Sequence, residues 1–226
     1  MQQHYLAIDL GASSGRAVVG TLDGDEMRMQ EVHRFETPTI EANGHMYWDL
    51  ESLWGAIQQG VANAFACESS LRSISIDSWA VDYVPLDRNG KPLRNAYCYR
   101  DPRAAGCLEQ AVRLAGGADA LYAQTGIQFL TFNTLPQVMA DLRDEADVVQ
   151  KTATRLFIAE YFLYRLSGSM VAEATMASTS QLVDASTGQW SQQLISAIGD
   201  DSRRWPSIVQ CGTNQTSTGR NGSAGD

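Results

Sequence analysis

Basic residues are scarce in this sequence of 226 residues. Lysine and arginine together number 17 against 26 aspartates and glutamates, which gives a formal net charge of −9. This balance argues against a nucleic-acid backbone or an anionic membrane as partner, because both are themselves negatively charged. A nucleotide phosphate remains compatible with it, since a few backbone amides and one arginine suffice to bind such a group. The net charge therefore argues against large polyanions as partners but not against a small anion such as a nucleotide phosphate.

Cysteine is also sparse, and long apolar runs are absent. The four cysteines form no CxxC pair and have no histidine at metal-ligand spacing. This favours reduced thiols, although a Cys67–Cys211 bridge stays compatible with the sequence. No signal peptide is visible, and no stretch approaches the roughly 18 apolar residues that a membrane span needs. We expect a soluble, cytoplasmic protein.

The N-terminal segment has the pattern of β-structure. Residues 5–10 form a short apolar run that predicts a buried strand, and a glycine-serine loop follows. Residues 16–22 predict a second strand, and residues 27–35 alternate as a third after the Asp23-Gly24 turn. Strands joined in this way are antiparallel, unlike the opening of a dinucleotide-binding fold.

Helical and further strand patterns follow the first three strands. Asp49 is a predicted N-cap of a helix to about residue 65. Its apolar face comprises Leu50, Leu53, Trp54, Ile57, Val61 and Phe65. Buried strands are expected at 73–77 and 81–86, and helices at 104–115 and 159–166, the last stopped by Gly168. This order predicts an α/β fold with a central mixed sheet, antiparallel first three strands and flanking helices.

The last residues differ in composition from the rest. Residues 212–226 contain no aromatic side chain and no aliphatic one larger than Ala224. Such a segment cannot bury enough surface to order itself. We expect one domain over residues 1–210 and a polar tail over 211–226, and we favour a truncation or an altered reading frame over a natural disordered tail.

Residues 9–16 are the most informative segment. They read Asp9-Leu10-Gly11-Ala12-Ser13-Ser14-Gly15-Arg16. The small side chains let backbone amides approach an anion, and the serines add hydroxyl donors. A carboxylate at the strand end suits a hydrated Mg²⁺, and the arginine suits a phosphoryl oxygen. Walker and GxGxxG motifs are absent, and a hairpin turn without a ligand stays open as the alternative.

This segment resembles the phosphate loop of actin-like ATPases and of the FGGY family of carbohydrate kinases. Within that family the sequence is similar to the rhamnulokinases in several further segments. They are His33-Arg34-Phe35, Tyr47-Trp48-Asp49, Ile76-Asp77-Ser78-Trp79, Tyr99-Arg100-Asp101, Gly126-Ile127-Gln128-Phe129 and Phe132-Asn133-Thr134-Leu135. The resemblance implies the actin-like (ribonuclease-H-like) fold, and ATP and Mg²⁺ as cofactors. It also implies transfer of phosphate to the 1-hydroxyl of L-rhamnulose, with a kinase for xylulose or fuculose as the alternative.

The resemblance also assigns the nucleotide side of the site. It places ATP on Gly11, Ala12, Ser13, Ser14, Gly15 and Arg16, together with Asp9, which would hold the metal through water.

Sugar-binding residues are expected further along the chain. Trp79 offers an apolar wall and Asp82 a carboxylate. The alternative is that Trp79 and Val81 are core residues at a strand end and that Asp82 is a solvated cap. Ala80 stands where rhamnulokinases have a glycine whose backbone contacts the substrate, so its methyl group is expected to crowd the sugar. The resemblance adds Asp101, for which surface ion pairing is the alternative.

Two amides complete the expected sugar site. Gln128 and Asn133 lie in an apolar segment and are candidates for sugar hydroxyls or for core hydrogen bonds. The three histidines are interpreted as structural. Ala159-Glu160-Tyr161 replaces the Pro-Asp-Tyr that the family usually has, a departure without a derivable consequence.

The catalytic base of the family is not found in this sequence. FGGY kinases use the aspartate of a His-Asp-Thr or similar motif near the end of their first lobe, and this chain has no His-Asp dipeptide. Family members are about twice as long, and their second lobe holds the nucleotide. We therefore expect this chain alone to be inactive, and the alternative function is a non-catalytic fragment that binds sugar or phosphate.

Overall fold

The structure is a computed structural model that describes residues 2–214. Its strands are β1 (Gln3–Leu10), β2 (Ser14–Asp23), β3 (Glu26–Glu36), β4 (Thr39–Ala42), β5 (His45–Trp48), β6 (Leu71–Ser78), β7 (Tyr83–Leu86), β8 (Thr154–Phe157), β9 (Ala172–Glu173), β10 (Val183–Asp184), β11 (Gln189–Trp190) and β12 (Ile208–Val209). Its α-helices are α1 (Leu50–Cys67), α2 (Cys107–Leu114), α3 (Ala118–Thr125), α4 (Thr134–Asp144), α5 (Ala146–Lys151), α6 (Ile158–Ser167), α7 (Ala174–Ser178) and α8 (Gln192–Ala197). Two 3-10 helices span Pro102–Ala104 and Ser202–Arg204.

The central sheet has the strand order β3-β2-β1-β6. β1 pairs with β2 and β2 with β3 in antiparallel register, whereas β1 and β6 run parallel. The predicted mixed sheet with three antiparallel opening strands is therefore confirmed. Because β6 follows α1 in the chain, the parallel pair is closed by a helical crossover, as parallel strands require.

Helix α1 covers one face of this sheet. The Asp49 side chain caps it by accepting a hydrogen bond from the Ser52 amide at 3.0 Å, as predicted. Its buried residues are Leu50, Leu53, Ile57, Gly60 and Ala64. A Cβ on Gly60 would lie 2.8 Å from the Cβ of Ala17, so glycine allows the helix to approach β2. Phe65, predicted on the buried face, is 47% exposed, because the face turns toward these small residues.

Three strand and helix predictions need correction. β6 was expected to be buried, but Ile76 is its one buried residue, because among residues 2–214 the strand pairs only with β1. The strand predicted at 81–86 begins at Tyr83 and pairs with β8, outside the central sheet. The helix predicted at 104–115 is a 3-10 turn followed by α2, and the sequence pattern missed α3, α4, α5, α7 and α8.

The remaining predictions concern thiols, membranes and the tail. All four cysteines are free, so the Cys67–Cys211 bridge is not formed. Among the residues described, no helix is both long and apolar enough to cross a membrane. Residues 215–226, most of the predicted polar tail, lie outside the described residues.

Candidate functional site

The parallel pairing of β1 and β6 brings two predicted site segments together. Leu10 at the end of β1 is the register partner of Ser78 at the end of β6. The glycine-serine loop after β1 and the Trp79 turn after β6 therefore leave the sheet at the same end. Ligands of α/β sheets bind outside the carboxyl ends of such strands.

The loop after β1 is a tight turn built from backbone. The Gly11 amide donates to the Ser14 carbonyl at 3.1 Å, and a Cβ on Gly11 would lie 2.7 Å from that oxygen. Thr37 anchors the loop, since its hydroxyl donates to the Gly11 carbonyl and its amide to the Ser13 carbonyl. Within residues 2–214 the amides of Ala12 and Ser13 donate to no protein acceptor. Two amides are thus available for an anion.

Charged groups flank this loop. The Arg16 Nε donates to Asp9 Oδ2 at 3.0 Å, and both side chains are half exposed. Asp77 is the register partner of Asp9, so the two carboxylates extend from the same face of the sheet. Gly15 has a packing role, because a Cβ there would lie 2.4 Å from the ring of Phe35.

Aromatic side chains form a wall beside the loop. We define the aromatic wall as Trp79, Tyr99 and Phe132, which are only partly buried, with the buried Trp48 behind them. The ring centroids of Trp48 and Trp79 are 4.2 Å apart, and those of Tyr99 and Phe132 are 5.7 Å apart. The Arg100 guanidinium lies 4.7 Å from the Tyr99 ring centroid. This surface offers the apolar area that suits the carbon edge of a sugar, with a cation beside Tyr99.

Asp82, predicted to bind sugar, lies behind this wall. Its side chain is fully buried and accepts hydrogen bonds from Trp48, Trp79, Tyr99 and Gln137. Burial raises the pKa of its carboxyl to about 6, even though these four donors act in the opposite direction.

Asp101 is likewise held by protein groups. Its carboxylate, 2% exposed, accepts from the amides of Met46 and Arg103 at 2.8 and 2.9 Å. His45 Nδ1 lies 3.1 Å from the same carboxylate, so this histidine has a structural partner, as expected. Asp101 thus ties the segment that follows Tyr99 to β5 through Met46.

The two predicted amides take different positions. The Asn133 Nδ2 donates to the Gln128 carbonyl at 2.8 Å and to Gln181 Oε1 at 3.3 Å, inside the core. Gln128 is exposed, next to the aromatic wall in sequence. Only Gln128 of this pair presents its amide to solvent.

Comparison with known proteins decides the family. Residues 4–223 match the N-terminal domain of the FGGY family of carbohydrate kinases. The chain belongs to the FGGY family. It is 39% identical to a rhamnulokinase of Oceanobacillus iheyensis over 208 residues, which are 92% of this chain and 44% of that protein. It is 41% identical to a rhamnulokinase of Halalkalibacterium halodurans over 196 residues, which are 87% of this chain and 42% of that protein.

Solved structures of FGGY-type architecture support the fold. A gluconate kinase from Lactobacillus acidophilus superposes with a TM-score of 0.81 at 20% identity, over 93% of this chain and 42% of that one. A xylulose kinase from the same organism superposes with a TM-score of 0.78 at 20% identity, over 92% of this chain and 42% of that one. The actin-like ATPase fold predicted from the loop is therefore confirmed. The chain spans less than half the length of the curated relatives it matches.

Sequence reasoning missed a buried ion cluster in this FGGY domain. Asp141 of α4 lies 2.8 Å from Arg94 and 2.7 Å from Arg103, and it also accepts from the Tyr83 hydroxyl. Burial favours protonation of Asp141, but the arginine charges outweigh it and lower its pKa. The available signal in the sequence was Asp141, a charged residue one helical turn after Gln137, on the same face of the helix.

A further cavity lies outside the predicted site. It measures about 780 Å³ between β6 and α6, and its wall includes Asp77 and Glu160. Glu160 is 3% exposed, and its Oε1 accepts from the Glu173 amide at 3.0 Å. Within residues 2–214 its Oε2 has no hydrogen-bond partner, and burial raises its pKa to about 7. Glu160, which stands where the family's Pro-Asp-Tyr has its aspartate, is thus a buried acid that links α6 to β9.

Proposed function

We propose that this chain supplies the phosphate loop and the sugar-facing wall of an ATP-dependent kinase for the 1-hydroxyl of L-rhamnulose. The supporting observation is that the glycine-serine loop and the aromatic wall leave the same end of the β1–β6 pair. The choice of sugar rests on the identity of 39–41% to two proteins described as rhamnulokinases. The cytoplasm remains the predicted compartment.

The loop residues fit a polyphosphate. The amides of Ala12 and Ser13 point to no protein acceptor within residues 2–214, and Gly11 leaves no room for a side chain against the turn. We assign the terminal phosphates of ATP to these amides, to the Ser14 hydroxyl and to Arg16, and a hydrated Mg²⁺ to Asp9. Mg²⁺ supplies charge neutralisation on the transferred phosphoryl group.

Trp79, the Ala80 amide and Gln128 are the residues we assign to sugar contact. Trp79 supplies an apolar surface for the carbon edge of a ketose, and Gln128 supplies an exposed amide. Asp101 and Asn133 hold the surrounding segments in place through their hydrogen bonds to Met46 and Gln128. The Ala80 methyl narrows the space that a glycine would leave.

The attacking hydroxyl needs a base, and no His-Asp dipeptide occurs among these 226 residues. General-base assistance contributes about 10²–10⁴-fold to such reactions. We therefore propose that the 226-residue chain alone transfers phosphate at least about 100-fold more slowly than a full-length relative. The second candidate, sugar or phosphate binding without turnover, is favoured by the formation of both loop and wall within residues 2–214.

A coupled ADP-release assay with Mg-ATP and L-rhamnulose tests these assignments. The Oceanobacillus iheyensis relative serves as the positive control, and xylulose and fuculose serve as competing sugars. We expect near-background release by the short chain, with measurable L-rhamnulose binding by calorimetry. Turnover equal to that of the control would refute the inactive-chain proposal. Tighter binding of xylulose or fuculose would refute the choice of sugar.

A further inference from the structure

Asp82 connects four separate parts of the chain through one buried carboxylate. Its Oδ2 accepts from Trp48 Nε1 at 2.6 Å, from Trp79 Nε1 at 3.0 Å and from the Tyr99 amide at 3.1 Å. Its Oδ1 accepts from Gln137 Nε2 at 2.8 Å. The side chain is 0% exposed, so a sugar hydroxyl cannot reach it.

The backbone next to Asp82 is strained. Val81 has a φ of 72°, which is an outlier for a β-branched residue. The Asp82 amide donates to the Ala80 carbonyl at 3.0 Å, which closes a γ-turn centred on Val81. Such conformations persist only where the surroundings hold them, and they cluster at functional sites.

Helix α4 holds the turn from the other side. The Thr134 hydroxyl donates to the Val81 carbonyl at 2.8 Å, and Gln137 Nε2 lies 3.4 Å from the same oxygen. Gln137 therefore contacts both the strained carbonyl and the Asp82 carboxylate. The turn, the two indoles and the first turns of α4 form one hydrogen-bonded unit.

We propose that Asp82 is a positioning residue, which fixes the Trp79 indole and the Ala80 amide in the orientation that the sugar meets. This inference rests on the proposed function for its ligand, and it replaces the direct sugar contact expected of Asp82. Without the carboxylate the Trp79 N–H loses its acceptor, and the turn at Val81 loses the constraint from Trp48 and Gln137. Ordering a side chain during binding weakens affinity, whereas a fixed one avoids that loss.

The direct test is Asp82→Asn, with Asp25→Asn in the exposed β2–β3 turn as the matched control. An asparagine keeps one acceptor but turns an NH₂ group toward either the indoles or Gln137. The chain has five tryptophans, whose indole N–H signals are resolved by ¹H–¹⁵N NMR and assigned by single Trp→Phe variants. We expect the Trp48 and Trp79 signals to move and those of Trp54, Trp190 and Trp205 to stay.

Sugar affinity provides the functional half of the test. We expect Asp82→Asn to weaken L-rhamnulose binding about tenfold, the scale of immobilising one large side chain. In a Trp79→Phe background the same substitution should have a smaller further effect, because the part of its action that passes through the indole is already lost and only the part through the Ala80 amide remains. Equal losses in both backgrounds, or an unmoved Trp79 signal, would overturn the positioning role.

A second variant covers failure of Asp82→Asn to fold. Thr134→Val removes only the hydroxyl bonded to the Val81 carbonyl, and it must move the Trp79 signal and weaken sugar binding by a smaller factor. An unchanged signal in this variant would overturn the proposal. Absence of L-rhamnulose binding by the wild-type chain would instead overturn the proposed function, while the indole signals still decide whether Asp82 holds Trp79.

Discussion

The phosphate loop and the aromatic wall lie at the same end of the sheet but are built in opposite ways. The loop is contiguous in sequence, partly exposed and formed by backbone, with Thr37 as its one distant anchor. The wall depends on buried side chains that come together from β5, the segment after β6, residue 99 and α4. A contiguous loop can lose its ligand without loss of the fold, whereas a wall of this kind cannot change without a cost in stability.

The largest effect on stability is expected in the buried ion cluster around Asp141. Asp141→Asn removes the buried counter-charge of Arg103 and leaves Arg94 paired with Glu145. Breaking such a cluster typically costs about 3–5 kcal/mol in the free energy of unfolding. Urea denaturation measures this loss. Asp144→Asn, three residues on and half exposed beside Arg143, is the matched control and should cost less than about 1 kcal/mol. Equal stability of the two variants would contradict the stabilising role of the buried ion cluster.

The next effect is expected in the loop. Gly11→Val places side-chain atoms against the Ser14 carbonyl, so the turn must open and the amides of Ala12 and Ser13 must move. Binding of tripolyphosphate, measured by calorimetry, should weaken at least about tenfold, since one charged hydrogen bond is worth more than that factor. The stability of the domain should change far less than in Asp141→Asn.

Gly55→Ala is the control for that substitution. Gly55 lies on the exposed side of α1 with nothing within 4 Å of an added Cβ, so phosphate binding should be unchanged. The helix itself should gain about 0.5–1 kcal/mol. Normal tripolyphosphate binding by Gly11→Val would remove the loop from the proposed site.

The smallest effect is expected in the pH dependence of stability, and it follows from a difference between two buried acids. Asp82 has four donors, whereas Glu160 Oε2 has none within residues 2–214. Burial raises the Glu160 pKa from 4.5 to about 7, so the folded state binds more protons than the unfolded state between these values. Stability conferred by the neutral acid is therefore complete below pH 4.5 and declines as the pH rises to about 7.

Glu160→Gln should reduce this decline. We expect the variant to gain on the order of 1 kcal/mol relative to wild type at pH 8 and little at pH 4.5, measured by urea denaturation at both values. Glu109→Gln on the exposed side of α2 should show no such dependence. A decline of equal size in Glu160→Gln would assign the pH dependence to another group.

The contrast between the contiguous loop and the dispersed wall also explains which features could be predicted from the sequence. The β1–loop–β2 unit was predicted because its residues are adjacent, and the strand ends and turn residues are visible in order. The role of Asp82 was not, because its partners Trp48, Tyr99 and Gln137 are 34, 17 and 55 residues away. The exposure of β6 also escaped prediction, since an apolar run indicates a strand but not the number of its neighbours. The left-handed conformation of Val81 has no sequence signal, as a β-branched residue predicts the opposite.

The open side of β6 has a consequence for handling the chain in solution. Among residues 2–214 the strand pairs only with β1, so its other edge presents unpaired main-chain donors and acceptors along the 780 Å³ cavity. Two such edges from separate molecules can join, and exposed edges are where sheet proteins self-associate. The net charge of −9 keeps molecules apart at low ionic strength. Self-association through this edge should therefore increase as salt screens that charge.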